Sequence, residues 1–281
     1  MPTDVIAGAL GDHRIAGASK GVSLSTTAAF VGLIKGTSYV ELIPRNFVTA
    51  VVLRFARCPY LAVLKTDTAL GKIPTDYSDV AQDGSTATSV DLSNLPALAN
   101  SGALWIGSHV RFRGAHIDVD GPNGTAGTLT VHYPNPTLTL TDISATDNTD
   151  TGASLAVDGT VTWSIPASGG WTKATLREIC VANSIAINVA KFAHSDEPMY
   201  WTRWTWDAAM DAAVTLDHML GLNESTSYAE SPDSVGLGMR VHHGFGRNGV
   251  GGFELLVDAG TGNCLVNCFT VSDEFAEGAV P

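Results

Sequence analysis

Several groups of side chains in this 281-residue chain have types and spacings that could do chemistry. His242-His243 precedes Cys264 and Cys268, and imidazole with thiolate is a zinc-ligand set. Adjacent residues on a strand point to opposite faces, so at most one of the two histidines could serve. Cys264 and Cys268 share a face, but their separation is unlike that of a zinc knuckle. Asp147-Asn148-Thr149-Asp150-Thr151-Gly152 puts an acid at loop position one and glycine at six, with Asp158 at twelve. Threonines at positions three and five, and flanks that read as strands, set it apart from an EF-hand; an acidic turn in water is the simpler reading. Asp118 and Asp120 fall on one strand face and could act as paired carboxylates, although solvated edge acids are far commoner. Asp12-His13 and Asp217-His218 are acid–base neighbours of a kind that any chain of this length shows by chance. There is no G-x-S-x-G elbow, no H-E-x-x-H and no phosphate-cradling glycine loop, and Gly244-Phe245-Gly246-Arg247-Asn248-Gly249 is followed by no helix, so it reads as a turn. The expectation is a protein that is not an enzyme and uses no metal or cofactor.

The elements that would position such groups are organised around two aromatic runs. In Asp158-Gly159-Thr160-Val161-Thr162-Trp163-Ser164-Ile165-Pro166, a turn signal precedes alternating Val161, Trp163 and Ile165, and proline closes the run. In Tyr200-Trp201-Thr202-Arg203-Trp204-Thr205-Trp206, Tyr200, Thr202, Trp204 and Trp206 share one face, with Trp201, Arg203 and Thr205 on the other. With Trp171 between them, these stretches hold five of the six tryptophans. Their β-spacing suits packing, so Trp163, Trp171, Trp201, Trp204 and Trp206 are expected to form structural core rather than a sugar or base platform. Arg203 is expected to lie flat over a ring and keep its charge wet.

Charged residues make up only 16% of the chain, and short alternating runs are separated by Gly, Asn, Asp and Pro turns. That composition predicts an all-β fold, with a sandwich or jelly-roll-like body, an extended N-terminal arm and few or no helices. The four cysteines are scattered, which favours free buried thiols in a reducing cytoplasm. No run is long and apolar enough for a membrane helix, and no basic n-region precedes Asp4. The net charge of −12 argues against nucleic acid as a partner. Its distribution is uneven: residues 1–72 carry net +4 and the remainder net −16. A basic N-terminal portion on an acidic body suggests a directed docking surface, with Arg14, Lys20, Lys35 and Arg45 as interface candidates.

Along the chain, residues 1–38 are small and glycine-rich, with short apolar pieces such as Gly21-Val22-Ser23-Leu24-Ser25, and read as an extended arm with one or two strands. Residues 39–95 read as an N-terminal β region, with strands on either side of Pro44-Arg45-Asn46, and residues 96–281 as the β-sandwich body with an acidic tail. One jelly roll with a long arm and two β domains fit equally well. Leu176 to Ala190 is apolar without clear periodicity, and Ala208 to Leu220 fits a helix capped by Asp207 or a strand starting near Val214.

The Asp158–Pro166 run, Trp171 and the Tyr200-Trp201-Thr202-Arg203-Trp204 run together resemble a β-sandwich module of tailed-bacteriophage virion proteins, with a "dG-x-v-x-W-x-x-P" strand and a later "YW-x-R" strand. Phe112-Arg113-Gly114 and Asn223-Glu224-Ser225-Thr226-Ser227-Tyr228-Ala229-Glu230 look like the same group, so the resemblance covers roughly residues 100–230. Ser168-Gly169-Gly170 and the insert from Ala182 to His194 depart from it. The resemblance implies a structural virion protein, assembled in the bacterial cytoplasm, and carries over no catalytic residue. Capsid decoration or cement fits best, with the major capsid protein or other virion proteins as partners and a homo-oligomer, a trimer favoured, as its state. A tail, neck or fibre-base component with a receptor- or carbohydrate-binding sandwich is the alternative.

Overall fold

The computed structural model describes residues 19–33, 39–46, 52–66, 74–83, 86–98, 102–186, 194, 196–230, 239–242 and 250–269. Their strands in chain order are β1 (Ser19–Leu24), β2 (Ala29–Gly32), β3 (Tyr39–Arg45), β4 (Leu53–Pro59), β5 (Ala62–Thr66), β6 (Thr75–Asp76), β7 (Val90–Asp91), β8 (Ala103–Ser108), β9 (Phe112–Gly121) and β10 (Leu129–Pro134). There follow β11 (Leu140–Asp142), β12 (Thr146–Asp147), β13 (Gly159–Thr162), the helix α1 (Leu176–Ala182), β14 (Tyr200–Trp206), β15 (Thr215–Asn223), β16 (Ala229–Glu230), β17 (Met239–His242), β18 (Val250–Val257) and β19 (Gly262–Phe269). The protein is all-β with antiparallel sheets, and α1 is the one α-helix among the described residues.

The chain divides into two units, residues 1–58 with 226–281, and residues 59–225. These divisions differ from the expected boundaries at 38/39 and 95/96. The loop-rich stretch from 66 to 102 lies inside the second unit, and the two chain ends share the first. Composition marks surface excursions well, but pairing between strands some two hundred residues apart leaves no local trace.

The first unit is a sandwich of two four-stranded sheets, ordered β1-β19-β3-β17 and β16-β4-β18-β2. Val22 and Leu24 of β1 alternate with exposed Gly21 and Ser23, and Cys264, Val266 and Cys268 of β19 also face inward, with half-buried Leu265 and buried Asn267 between them. They meet Val31, Leu42, Phe55, Phe253 and Leu255 in one core. The one or two strands expected in the arm are β1 and β2, and they are edge strands of this unit's own sheets, paired with β19 and β18, not laid on a partner. Residues 1–18 and 34–38 fall outside the described residues. The strands either side of Pro44-Arg45-Asn46 do not make a hairpin, since β3 belongs to one sheet and β4 to the other.

The second unit has three layers. A five-stranded sheet, β12-β13-β9-β15-β7, packs on a six-stranded sheet, β11-β10-β14-β8-β5-β6. Between them lie Leu61, Val63, Leu104, Ile106, Phe112, Ile117, Val161, Trp163, Trp204 and Leu216, all buried. The other face of the six-stranded sheet carries Ala62, Leu64, Trp105 and Trp201 and is covered by Leu176, Ile179 and Cys180 of α1. The two open readings of the sequence resolve here. Leu176–Ala182 is helical, closed at its start by a capping box in which Thr175 and Glu178 bond each other's backbone N–H. The 208–220 stretch yields β15, and the Asp207 carboxylate accepts from Thr128 N at 2.7 Å instead of capping a helix.

Two glycines allow the layers to close. Gly107 of β8 lies opposite Trp201 of β14, and a Cβ there would stand 2.7 Å from the Trp201 ring. Gly114 takes φ +151°, and its Cβ would stand 2.2 Å from the Val161 carbonyl oxygen across the ladder. Gly107→Ala should therefore lower the stability of the second unit by about 1–3 kcal/mol through overpacking. Urea unfolding followed by tryptophan fluorescence measures this, and an unchanged midpoint would mean that the Trp201 ring has room to yield.

Candidate functional site

The five tryptophans singled out from the sequence are all buried, between 0 and 6% exposed. Strand geometry splits them. Trp163, Trp171, Trp204 and Trp206 face the core between the two sheets, whereas Trp201 lies in the layer beneath α1. Phe112 stands 5.4 Å from Trp163 and 5.3 Å from Trp171, and Trp163 stands 6.2 Å from Trp204, all in edge or tilted geometry. Four of the five polar handles are spent inside: Trp163 Nε1 donates to Phe112 O, Trp171 Nε1 to Trp201 O, Trp204 Nε1 to Thr202 Oγ1 and Trp206 Nε1 to Ser154 Oγ, whereas Trp201 Nε1 is buried without a hydrogen bond. No ring of this set offers an open stacking face. The sixth tryptophan, Trp105, is also fully buried, and the half-buried Arg203 guanidinium lies 5.6 Å over its ring. Its signal was the run Ala103–Ser108, buried at every position, which strand alternation alone does not flag.

Of the interface candidates, Arg14 and Lys35 fall outside the described residues. Lys20 belongs to β1, opposite Val266, and exposed Arg45 ends β3, opposite Asn263. Both strands flank β19, so two of the four bases sit in one sheet of the first unit.

The carboxylates read as candidate chemistry are engaged by the protein itself. Asp147 accepts from Thr149 N, Thr149 Oγ1 and Ser154 Oγ, and Asp158 accepts from Val119 N. That is the bonding of turns, which uses the lone pairs a calcium ion would need. Asp118 and Asp120 do share a face of the five-stranded sheet. Asp118 Oδ2 lies 3.4 Å from His218 Nδ1, and Asp120 accepts from Thr215 Oγ1. Asp217 joins them: desolvation, with the neighbouring Asp120 and Asp118, holds its carboxyl above the ordinary range. Cys264 and Cys268 are not disulfide-bonded and are buried in the core of the first unit, and burial pushes the Cys264 thiol up to about 12, so it stays protonated. His242 lies on β17 opposite Tyr39, and His243 falls outside the described residues. Among the described residues, no three His, Cys, Asp or Glu side chains are arranged to hold a metal ion.

One cluster escaped the sequence reading. Glu197 Oε2 lies 3.5 Å from His109 Nε2 and 3.5 Å from His194 Nδ1, and His194 Nε2 lies 3.9 Å from Asp76 Oδ2. Its members come from β6, from the turn between β8 and β9, and from the segment before β14. Isolated histidines in loops carry no spacing pattern, so no sequence signal marked it. Such a group can take up and release protons.

No family model, no curated protein and no solved structure matches this chain.

Half-buried neutral histidines make the second unit sensitive to acid. Burial pushes His116 down to about 4; Asp118 and Asp158 oppose the shift and His218 adds to it. Its folded value lies below the unfolded one, so its contribution is complete above about pH 6.5 and is lost progressively toward pH 4. The loss is on the order of 3 kcal/mol. His132 is shifted in the same direction, chiefly by burial. Comparing urea unfolding at pH 7.5 and 4.5 for the native protein and His116→Gln isolates the effect: the variant should show the smaller loss.

Proposed function

We propose that this chain is a structural protein of a tailed-bacteriophage virion, a capsid decoration or cement protein that binds the assembled head. The observation that carries this reading is the use of the resembling motif. Trp163, Trp171, Trp201 and Trp204 are spent on holding sheets and helix together, as expected of a building block. The basic N-terminal portion supplies the docking charge. Its described interface candidates, Lys20 and Arg45, lie on β1 and β3 of the first unit, so docking would use a sheet surface that includes these strands.

The mechanism follows from mass action. A protein that binds the assembled shell and not the free subunits stabilises the shell by its binding free energy, and many weak copies add through avidity. The major capsid protein is the proposed partner and a homotrimer the proposed state. A tail, neck or fibre-base component remains the second reading in the same setting. The buried rings of β14 give its carbohydrate-binding version no stacking surface.

Imaging of the particles that contain the chain tests the proposal: density is expected on the head lattice, and density confined to the tail would overturn it. In co-sedimentation with purified heads, binding should weaken with added salt, and Arg45→Glu should weaken it further.

A further inference from the structure

Arg203 of β14 is a half-buried cation with no carboxylate partner among the described residues. Two other arginines of the second unit have acids: Arg111 pairs with Glu224, and Arg177 with Asp196 at 3.4 Å. Arg203 instead lies 5.6 Å over the ring of fully buried Trp105. An indole face offers no oxygen to the five N–H donors of a guanidinium, and Arg203 Nε is buried with no hydrogen bond. The surroundings follow from the register of the six-stranded sheet. Arg203 stands opposite Trp105 of β8 on one side and His132 of β10 on the other, and His132 stands opposite Asp142 of β11. Directly opposite residues share a face, and α1 covers part of this one, since Trp105 and Trp201 pack with Leu176, Ile179 and Cys180. None of these neighbours cancels the charge. Burial pushes the Cys180 thiol up to about 12, so it is neutral at neutral pH. His132 is held below its ordinary value, chiefly by burial, and exposed Asp142 is two strands away, accepting from Ser144 N. Two further donors on this face are unmet, for Trp105 Nε1 and Trp201 Nε1 are buried without hydrogen bonds.

An unpaired charge held partly out of water is costly, and so are buried donors without acceptors. A guanidinium fork matches the paired oxygens of a carboxylate or phosphate group. We propose that the strip His132–Arg203–Trp105 is a binding site for a small oxyanion, a carboxylate or a phosphate group, with the Arg203 guanidinium as its charge and principal donor. The Trp105 ring beneath Arg203 holds the cation in place, so little side-chain freedom remains to be lost when the ligand arrives. Asp142, on the far side of His132, repels a second negative group, so the site suits a single oxyanion rather than a polyanion. The site lies within the second unit and is independent of the docking proposed for β1 and β3.

The test uses the full chain, isotope-labelled, titrated with sodium phosphate and separately with sodium acetate, each against sodium chloride at matched ionic strength. The Arg203 Nε–H and the Trp105 and Trp201 Nε1–H resonances are assigned in the native protein from through-bond spectra. One or both anions should move the Arg203 resonance along a saturable curve that chloride does not reproduce. A response to phosphate alone assigns a phosphate ligand, a response to acetate alone a carboxylate, and a response to both a general oxyanion site. Read at the Trp105 indole N–H, Arg203→Gln should weaken binding by about tenfold or more, and Arg203→Lys, which keeps the charge but loses the fork, by less. The bound anion should also raise the thermal midpoint of the native protein and leave that of Arg203→Gln unchanged. The proposal is overturned if neither anion gives a saturable shift, if chloride gives the same one, or if affinity is unchanged in Arg203→Gln. Should Arg203→Gln fail to fold, the native spectra decide: saturable shifts confined to residues away from Arg203, Trp105 and His132 also sink it.

Discussion

The second unit depends on large rings meeting edge-on between two sheets. Phe112 on β9, Trp163 just after β13, Trp171 in a loop and Trp204 on β14 come from four separate stretches and touch within one core. Each ring removes a large apolar area from water, and the edge-to-face contacts add orientation to that area. Because every indole N–H in this group finds an acceptor, the rings are fixed in position as well as buried. Trp171 shows how the loop after β13 is held. Its ring packs on Phe112, Tyr133 and Tyr200, and its N–H reaches the backbone of β14.

The first unit solves the same problem with smaller side chains. Leu, Val, Phe and two thiols from six strands fill its sandwich, with Phe55 and Phe253 as its described ring contact. The strands come from both ends of the chain, so β19 closes its ladder with β1 and β3 across more than two hundred residues. Loop closure over such a separation costs entropy that only extensive pairing can offset, and β19 pairs along its whole length.

Polar groups inside the second unit follow a consistent rule. Gln82, fully buried, accepts from Leu61 N and donates to Leu61 O, acting as a stand-in neighbour for that residue. Asn123 joins the backbone of Thr125, Ser154 and Asp211. Asp147 and Asp158 bond to turn and strand donors. Side chains that looked free for chemistry in the sequence therefore stabilise loops, since an unmet buried polar group costs more than a made bond contributes. The exceptions are Trp105 Nε1 and Trp201 Nε1, buried without a hydrogen bond, and histidine nitrogens such as His132 Nδ1; a neutral imidazole can be buried with little more penalty than an amide, at the expense of sensitivity to acid.

The sequence by itself determined the all-β class and most strand centres, because alternation with period two and Gly, Asn and Pro turns are local properties. It also marked Trp163, Trp171, Trp201, Trp204 and Trp206 as inward-facing, since burial of large rings is strongly favoured wherever they fall. One local signal went unread: Thr175-Leu176-Arg177-Glu178 has the T-x-x-E spacing of a capping box at the start of α1. Only the tertiary structure decided that residues 19–32 belong to sheets built with the C-terminal strands, that β3 and β4 part company after Asn46, and that both faces of β14 are covered. It alone assembled Asp76, His109 and the His194–Glu197 pair, which come from three separate stretches and meet through the pairing of β5, β6, β8 and β14. The reason is physical: periodicity records which side of a strand is buried, whereas partner choice comes from complementary surfaces that no short stretch contains.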